Sequence, residues 1–408
     1  MDQFDFFDLL TDLRPEEVLE AYFACRKNKR RTLSALRFEM DYEYNVLKLY
    51  QDIITRQYKI RPSNTFIVKH PVRREIFAAA FRDRIVHHLV INKIMSIFEK
   101  VFIRHSYSCR IGKGTLDGIE STAQMLKVCS ENYQTDAYIL RLDIEGFFFH
   151  IDKKILHQKL KKLLNENYFQ SNKSSILYLL EEILMNNPTK GCHFHSKKAD
   201  WDELPKTKSL FFGEKNCGLP IGNLTSQIFA NFYLNDLDHY VLTLDKDLFY
   251  GRYVDDLVLI HQNRQFLLEV KEKIQMYLKE NLHLSLHPKK ISLTHYAQGY
   301  AFTGAYIQPG RIYPSKRCMK SFYHKMNALN NLWERKKTPD LKLANQTLSS
   351  INSYFGLMKH FNSYRIRMKG GNMLSEKIRN VLIADRNLYK VSIRKDVKKK
   401  LYMDYLKK

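Results

Sequence analysis

The stretch FYGRYVDDLVLI, from Phe249 to Ile260, sets two adjacent aspartates between two short apolar runs. Neighbouring carboxylates repel, and drawing them towards a core adds a desolvation penalty. The flanks, Phe249 to Val254 and Leu257 to Ile260, are rich in aromatic and β-branched residues, so they read as a β-hairpin with Asp255 and Asp256 at its bend. Two explanations fit such a bend. Asp is common in solvated turns for local hydrogen-bonding reasons. Alternatively, a divalent cation supplies the missing positive charge, and further ligands must then arrive from elsewhere in the chain.

LRLDIEGFFFHID offers one such ligand. Ala137 to Ile144 reads as a buried strand, and Asp143 near its end is an expensive carboxylate unless something compensates it. A helix capped by Asp152 follows, with Ile155, Leu156, Leu160, Leu163 and Leu164 on one face. A second helix starts at Leu224, with Ile228, Phe229, Phe232, Tyr233, Leu237, Tyr240 and Val241 at helical spacing. After the acidic hairpin, Phe266, Leu267, Val270, Ile274, Tyr277 and Leu278 mark a third helix with Asn263 as its cap, and LHLSLH closes the unit as a strand. Strand, helix, helix, hairpin, helix, strand is a split βαβ sheet of the ferredoxin-like kind. In such a sheet the Asp143 strand can lie beside the hairpin. Asp143, Asp255 and Asp256 then form a site for two Mg²⁺ ions, with Mn²⁺ as a substitute, roughly 3.5–4 Å apart. The competing reading of Asp143 is a strand-end residue that caps the next turn.

At 408 residues the chain calls for two to four subdomains. Its 67 Lys and Arg against 43 Asp and Glu leave +24, an excess that suits a polyanion such as nucleic acid. No run of eighteen apolar residues occurs, and MDQFDFFDLLTDLRPEE is acidic where a signal peptide would be basic, so a soluble intracellular protein without membrane contact is expected. Six scattered cysteines lack paired spacing and read as reduced thiols. GCHFH, around Cys192, His193 and His195, has no second ligand pair, so zinc is not expected. The first sixty residues look helical, with Leu36, Met40, Val46, Leu47, Leu49 and Tyr50 along one face and a basic run from Arg26 to Arg31 ahead of them. Residues 186–216 form a polar insertion containing Trp201, read as a surface loop or flap, and the chain beyond Ser315 is helical and basic.

YVDD in a hairpin, with LDIEGFF upstream, resembles the palm of a reverse transcriptase. REIFAAAFRDRIVHHLV (Arg74 to Val90) and SYSCRIGKGT (Ser106 to Thr115) resemble the fingers motifs of bacterial members. GLPIGNLTSQ (Gly218 to Gln227), LSLHPKK (Leu284 to Lys290) and GYAFTGAYI (Gly299 to Ile307) are similar to the later palm motifs, and INSYFGLMKHFNSYRIR (Ile351 to Arg367) to the thumb. The resemblance implies an α+β right-hand polymerase with fingers, a ferredoxin-like palm, a helical thumb and a basic C-terminal tail. The implied boundaries are a helical extension 1–60, fingers 61–135, palm 136–165 and 217–313, a connecting helix with the insertion 166–216, thumb 314–370 and tail 371–408.

The implied activity is RNA-directed DNA synthesis. Asp143, Asp255 and Asp256 would hold the metals, and Lys290, with Lys289 beside it, would protonate the leaving pyrophosphate. Phe148 would be the ring that excludes a ribose 2′-hydroxyl, while Lys69, Arg73 and above all Arg74 would take the triphosphate. Gly222 would allow close backbone approach to the nucleotide, Gln227 would begin the helix behind it, and Arg110 and Lys113 would contact template phosphates. Ile221 and Gln227 make the fourth motif IGxxxSQ, the form typical of diversity-generating retroelements, whose enzymes miscopy template adenines. An Ile in place of a Gln removes a polar check on the nascent pair; its other reading is plain packing. The partners implied are a structured noncoding template RNA, a DNA product, dNTPs and an accessory protein, in the cytoplasm of a bacterium, encoded by host or phage. Antiphage-defence enzymes that make DNA from a dedicated RNA or without a template share parts of these motifs, and a non-catalytic scaffold is a third class.

Overall fold

The structure, a computed structural model, describes residues 13–27, 32–69, 72–336 and 340–406. Most of the acidic opening stretch, residues 28–31 of the basic run and the last two lysines lie outside the described residues. The chain divides into two compact units.

The first unit takes the described residues up to 114 together with 141–259 and 265–292. It opens with helices Pro15–Arg26, Leu33–Glu39 and Tyr42–Ile54. The single apolar face expected here is broken at Met40 and Asp41: Val46 and Leu49 are buried, whereas Leu36, Met40 and Leu47 face solvent. Strands β1 (Asn64–Val68) and β2 (Arg74–Ala78) pair antiparallel, and helix Phe81–Val101 follows. Strand β3 (Tyr138–Asp143) ends at the catalytic candidate. Helix Lys153–Asn167 starts where expected, because the Asp152 carboxylate accepts the Lys154 and Ile155 N–H groups at 2.8 and 3.2 Å.

The polar insertion is not a free flap. Its short strand β4 (His193–Phe194) adds in parallel to β1, giving the order β2-β1-β4. Trp201 and Phe211 pack with Phe194 at 5.3 and 5.6 Å between ring centroids, and Phe77 lies 5.4 Å from Phe211. Glu75, 1% exposed, anchors the insertion by accepting from the Trp201 indole, the Ser209 hydroxyl and the Leu210 N–H, each at 2.7 Å. Burial raises its pKa, and these three bonds oppose the shift.

Helices Leu224–Tyr233 and Asn235–Thr243 replace the one helix expected, with a break at Leu234. The hairpin strands β5 (Phe249–Tyr253) and β6 (Asp256–His261) and helix Arg264–Leu282 follow as read from the sequence. LHLSLH is not the closing strand: Leu284 and Leu286 are buried, but the strand β7 (Ser292–His295) comes after the turn Pro288–Lys290. The four strands lie in the order β5-β6-β3-β7, so β3 sits between the hairpin and the last strand, the ferredoxin-like arrangement.

The second unit takes 115–140, 260–264 and 293–408. It contains helix Thr115–Cys129, the antiparallel strands β8 (Tyr300–Phe302), β9 (Ala305–Gln308) and β10 (Arg311–Pro314), and helices Lys316–Glu334, Leu341–Met358, Tyr364–Asn372 and Glu376–Val381. The tail is more than a basic helix. A hairpin of β11 (Leu382–Ala384) and β12 (Val391–Ile393) precedes helix Lys395–Leu406. Val381, Leu382, Val391 and Leu401 join one apolar core with Phe322, Trp333, Ile351 and Phe355. Trp333 donates its indole N–H to Thr347 at 2.8 Å, so its polar edge is satisfied inside that core.

Candidate active site

Three segments distant in sequence meet at the end of β3. The Ile144 N–H donates to the Asp255 carbonyl at 3.3 Å, and the Glu145 N–H to the Ser285 carbonyl at 2.9 Å. The His287 N–H donates to the Asp143 carbonyl at 2.8 Å, and the following tight turn brings round Lys290. Backbone bonds, rather than side-chain attraction, therefore juxtapose Asp143, the hairpin acids and Lys290.

Lys290 donates from Nζ to both oxygens of Asp143 at 2.8 Å. Among the described residues the side chains of Asp255 and Asp256 have no such partner at contact distance. Asp255 is pushed up to about 6, first by burial, then by the negative charges of Asp256 and Asp143. Asp256 is also raised by burial and Asp143, against the pull of Arg141 and Lys290. The site thus keeps more negative charge than its protein cations neutralise. Among the described residues no group of three or more His, Cys, Asp or Glu side chains is arranged around a metal position, and at Asp143 the Lys290 ammonium is the paired cation. Hard carboxylate oxygens with uncompensated charge fit a divalent cation such as Mg²⁺ or Mn²⁺. Asp143, Asp255 and Asp256 are the residues that could hold it.

The hairpin bend is held under strain. Val254, a β-branched residue, has φ of 56°, in the left-handed region. Arg252, fully buried, fastens it by donating from Nη1 to the Val254 carbonyl at 2.9 Å. The same guanidinium pairs with the buried Asp238 carboxylate and with the Asn231 side chain, and Tyr250 donates its hydroxyl to Asp238 at 2.7 Å. The Arg252 backbone is tied to the His105–Tyr107 segment: its N–H donates to the His105 carbonyl, and its carbonyl accepts the Tyr107 N–H. Sequence reading missed Arg252, Asp238 and Arg141. A signal was present for two of them: Arg252 is the one charge in the strand FYGRY, and Arg141 shares an otherwise apolar strand only with Asp143.

The remaining expected residues fall into three groups. Phe148 and Phe149 are part-exposed on the short helix Phe147–His150, whereas Phe147 is buried. The Arg74 side chain is exposed and makes no hydrogen bond or ion pair among the described residues, but Lys69 and Arg73 are engaged by the insertion. Lys69 pairs with Asp200 at 2.7 Å, and Arg73 binds the Asp200 carbonyl at 3.0 Å and the Glu203 carboxylate. Arg110 departs from its expected template role. Its guanidinium is turned inward to Glu99 at 2.8 Å and to the carbonyls of Ile103 and Ser106 at 2.7 and 3.0 Å. Lys113 is half-buried next to it.

Gly222 also has a different reason from the one expected. At φ of 122° a Cβ would stand 2.8 Å from Ile76 Cγ2 and 3.4 Å from the Phe77 carbonyl. The close approach is therefore to β2, where the Ile221 carbonyl accepts the Phe77 N–H at 2.9 Å. Ile221 is part-exposed and Gln227 exposed.

Residues 68–307 match the family described as reverse transcriptase (RNA-dependent DNA polymerase). The chain belongs to this reverse transcriptase family. Among curated proteins, it is similar to Protein YkfC of Escherichia coli (strain K12), at 21% identity over 287 residues, covering 62% of this chain and 67% of that protein. Among solved structures it is similar to telomerase from Candida albicans in complex with a fragment of telomeric RNA, with TM-score 0.46 and 12% identity over 84% of this chain. Apo telomerase from Candida tropicalis gives TM-score 0.46 and 11% identity over 81% of this chain. The chain spans 64% of the length of each of these two telomerase chains.

Proposed function

We propose that this chain is an RNA-directed DNA polymerase that extends a primer on an RNA template, with Asp143, Asp255 and Asp256 as the metal-holding carboxylates. The observation that carries this reading is the backbone bond from Ile144 to Asp255 at 3.3 Å, which brings the β3 carboxylate to the hairpin pair inside a family whose chemistry needs such a set. When bound, divalent cations make the primer hydroxyl a better nucleophile and neutralise charge on the triphosphate. Asp143 would be one of the carboxylates holding a cation, and Lys290, which lies against it at 2.8 Å, would be the acid that protonates the departing pyrophosphate. Arg74 takes triphosphate oxygens from the fingers side.

Phe148 supports a DNA product, because a ring at C2′ clashes with a ribose hydroxyl. Phe148→Ala is expected to lower the preference for dNTPs over rNTPs by roughly 10²-fold, measured as the ratio of kcat/KM values. An unchanged ratio would remove Phe148 from that role.

The fingers cations make a second expectation. Asp200 and Glu203 compete with an incoming triphosphate for Lys69 and Arg73. These ion pairs are exposed and therefore weak. Asp200→Asn combined with Glu203→Gln should lower KM for dNTP by about 3- to 10-fold with kcat little changed, since each exposed pair is a ground-state competitor on the order of 1 kcal/mol or less. A KM that stays constant would mean that the insertion moves aside independently of these contacts.

We further propose that copying is mutagenic, as in diversity-generating retroelements, with the part-exposed Ile221 unable to offer the hydrogen bond a Gln would give. Deep sequencing of the cDNA tests this. Changes concentrated at template adenines, reduced in Ile221→Gln, are the expected result. Equal misincorporation opposite all four bases in both proteins would sink it, and faithful DNA from one dedicated RNA would favour a defence role.

A further inference from the structure

The second unit carries a groove of about 690 Å³ outside the stretch matched to the family, lined where β10, the Phe361–Arg367 segment and the β11–β12 turn come together. Arg367 lies in its wall and is 3% exposed. Its Nη1 donates to the Ser363 hydroxyl at 2.7 Å and its Nη2 to the Asn387 carbonyl at 3.2 Å, but its buried Nε finds no acceptor among the described residues. It forms no carboxylate ion pair there either. Asp385, the acid that influences it, is turned to the N–H groups of Tyr389 and Lys390. A buried guanidinium in that state calls for an anion from outside.

Three independent features of the same groove agree. Helix Tyr364–Asn372 begins there with no side-chain cap on its first N–H groups, a site that favours negative charge. Arg311, Lys359 and Arg365 are exposed on the rim and make no ion pair among the described residues. Tyr364 and Tyr389 are 51% and 46% exposed at the groove, and the Arg367 guanidinium sits over the Tyr389 ring at 5.1 Å. Cations alone would suit any polyanion. Exposed aromatic faces interleaved with them suit unpaired bases, which stack on such rings while their phosphates meet the cations.

We infer that this groove binds a single-stranded nucleic acid segment, with a phosphate at Arg367 and the Tyr364 helix start and bases on Tyr364 and Tyr389. Occupancy is read by binding in the absence of dNTPs, so an inactive polymerase would leave the test intact.

The test uses the full chain and fluorescence anisotropy of a short labelled oligonucleotide, as single-stranded RNA, single-stranded DNA, duplex, and an abasic strand of the same length. Lys359→Ala with Arg365→Ala should lose about tenfold in single-strand affinity at physiological salt and flatten the slope of log K against log salt by about 1 to 1.5. Tyr389→Ala should lose about tenfold on base-bearing strands and little on the abasic strand. All of these side chains are exposed, so folding survives their replacement. A loss confined to RNA assigns the groove to template, and one confined to DNA assigns it to product; both uphold the inference. Parental affinity and slope in the variants, equal losses by Tyr389→Ala on abasic strands, or losses confined to duplex would overturn it.

Discussion

Asp255→Asn is expected to stabilise the free protein while ending DNA synthesis. Asp255 stands at about 6 in the fold against an ordinary 3.8, so ionising it is harder in the folded chain than in the unfolded one. A carboxylate with a raised folded pKa destabilises the fold at pH values above about 6, and that penalty fades as pH falls towards its ordinary value. A shift of this size corresponds to on the order of 2 to 3 kcal/mol at pH 7. Asparagine keeps the shape and removes the charge, so the variant should melt several degrees higher at pH 7, with the gap closing near pH 4. Mg²⁺ should raise the melting temperature of the parent and leave the variant nearly unmoved, because ligand stabilisation requires the donor oxygens. The parental Mg²⁺ shift should weaken below about pH 6, where protons compete for Asp255. A variant less stable than the parent would show that the carboxylate was compensated all along.

The second large effect lies behind the hairpin. Asp238→Ala strips the fully buried Arg252 of its counter-charge and Tyr250 of its acceptor. Removing one partner of a buried pair costs about 3–5 kcal/mol, which in a unit of this size is a fall of roughly 10 °C in melting temperature. Replacing both, as Asp238→Ala with Arg252→Met, should recover much of that loss, since no charge is left uncompensated. Activity should not return with stability. Arg252 also holds the Val254 carbonyl at 2.9 Å, and without that bond the strained bend that aims Asp255 can relax. Calorimetry and primer extension on the same two proteins separate these effects. Full activity in the double variant would show that Val254 keeps its conformation unaided.

The palm elements were the most legible part of the chain, for a physical reason. Apolar residues at helical spacing from Leu156 to Leu164 encode one buried helix face, and the continuous apolar runs on either side of Asp255 and Asp256 encode strands buried on both faces. Asp143 stood out because a carboxylate at the end of an apolar strand demands compensation. What remained hidden depends on contacts between distant residues. Arg110 looks like a phosphate ligand beside two glycines, and only the fold brings Glu99 to it. Gly222 reads as making room for a nucleotide until β2 is seen against it. Leu36, Met40 and Leu47 continue an apolar pattern across a helix break that composition does not reveal. The β11–β12 hairpin is short and lies in a basic run, so its few buried residues carry little periodic signal.

Copying of RNA into DNA at this carboxylate site is tested by a single primer-extension assay. The purified chain is given a primed RNA template, dNTPs and Mg²⁺, beside Asp255→Asn prepared identically. Template-length DNA of complementary sequence is expected from the parent and at least about 10³-fold less from the variant, since losing a metal-holding group removes several kcal/mol of transition-state stabilisation. DNA made equally by both proteins, or DNA whose sequence ignores the template, would contradict it.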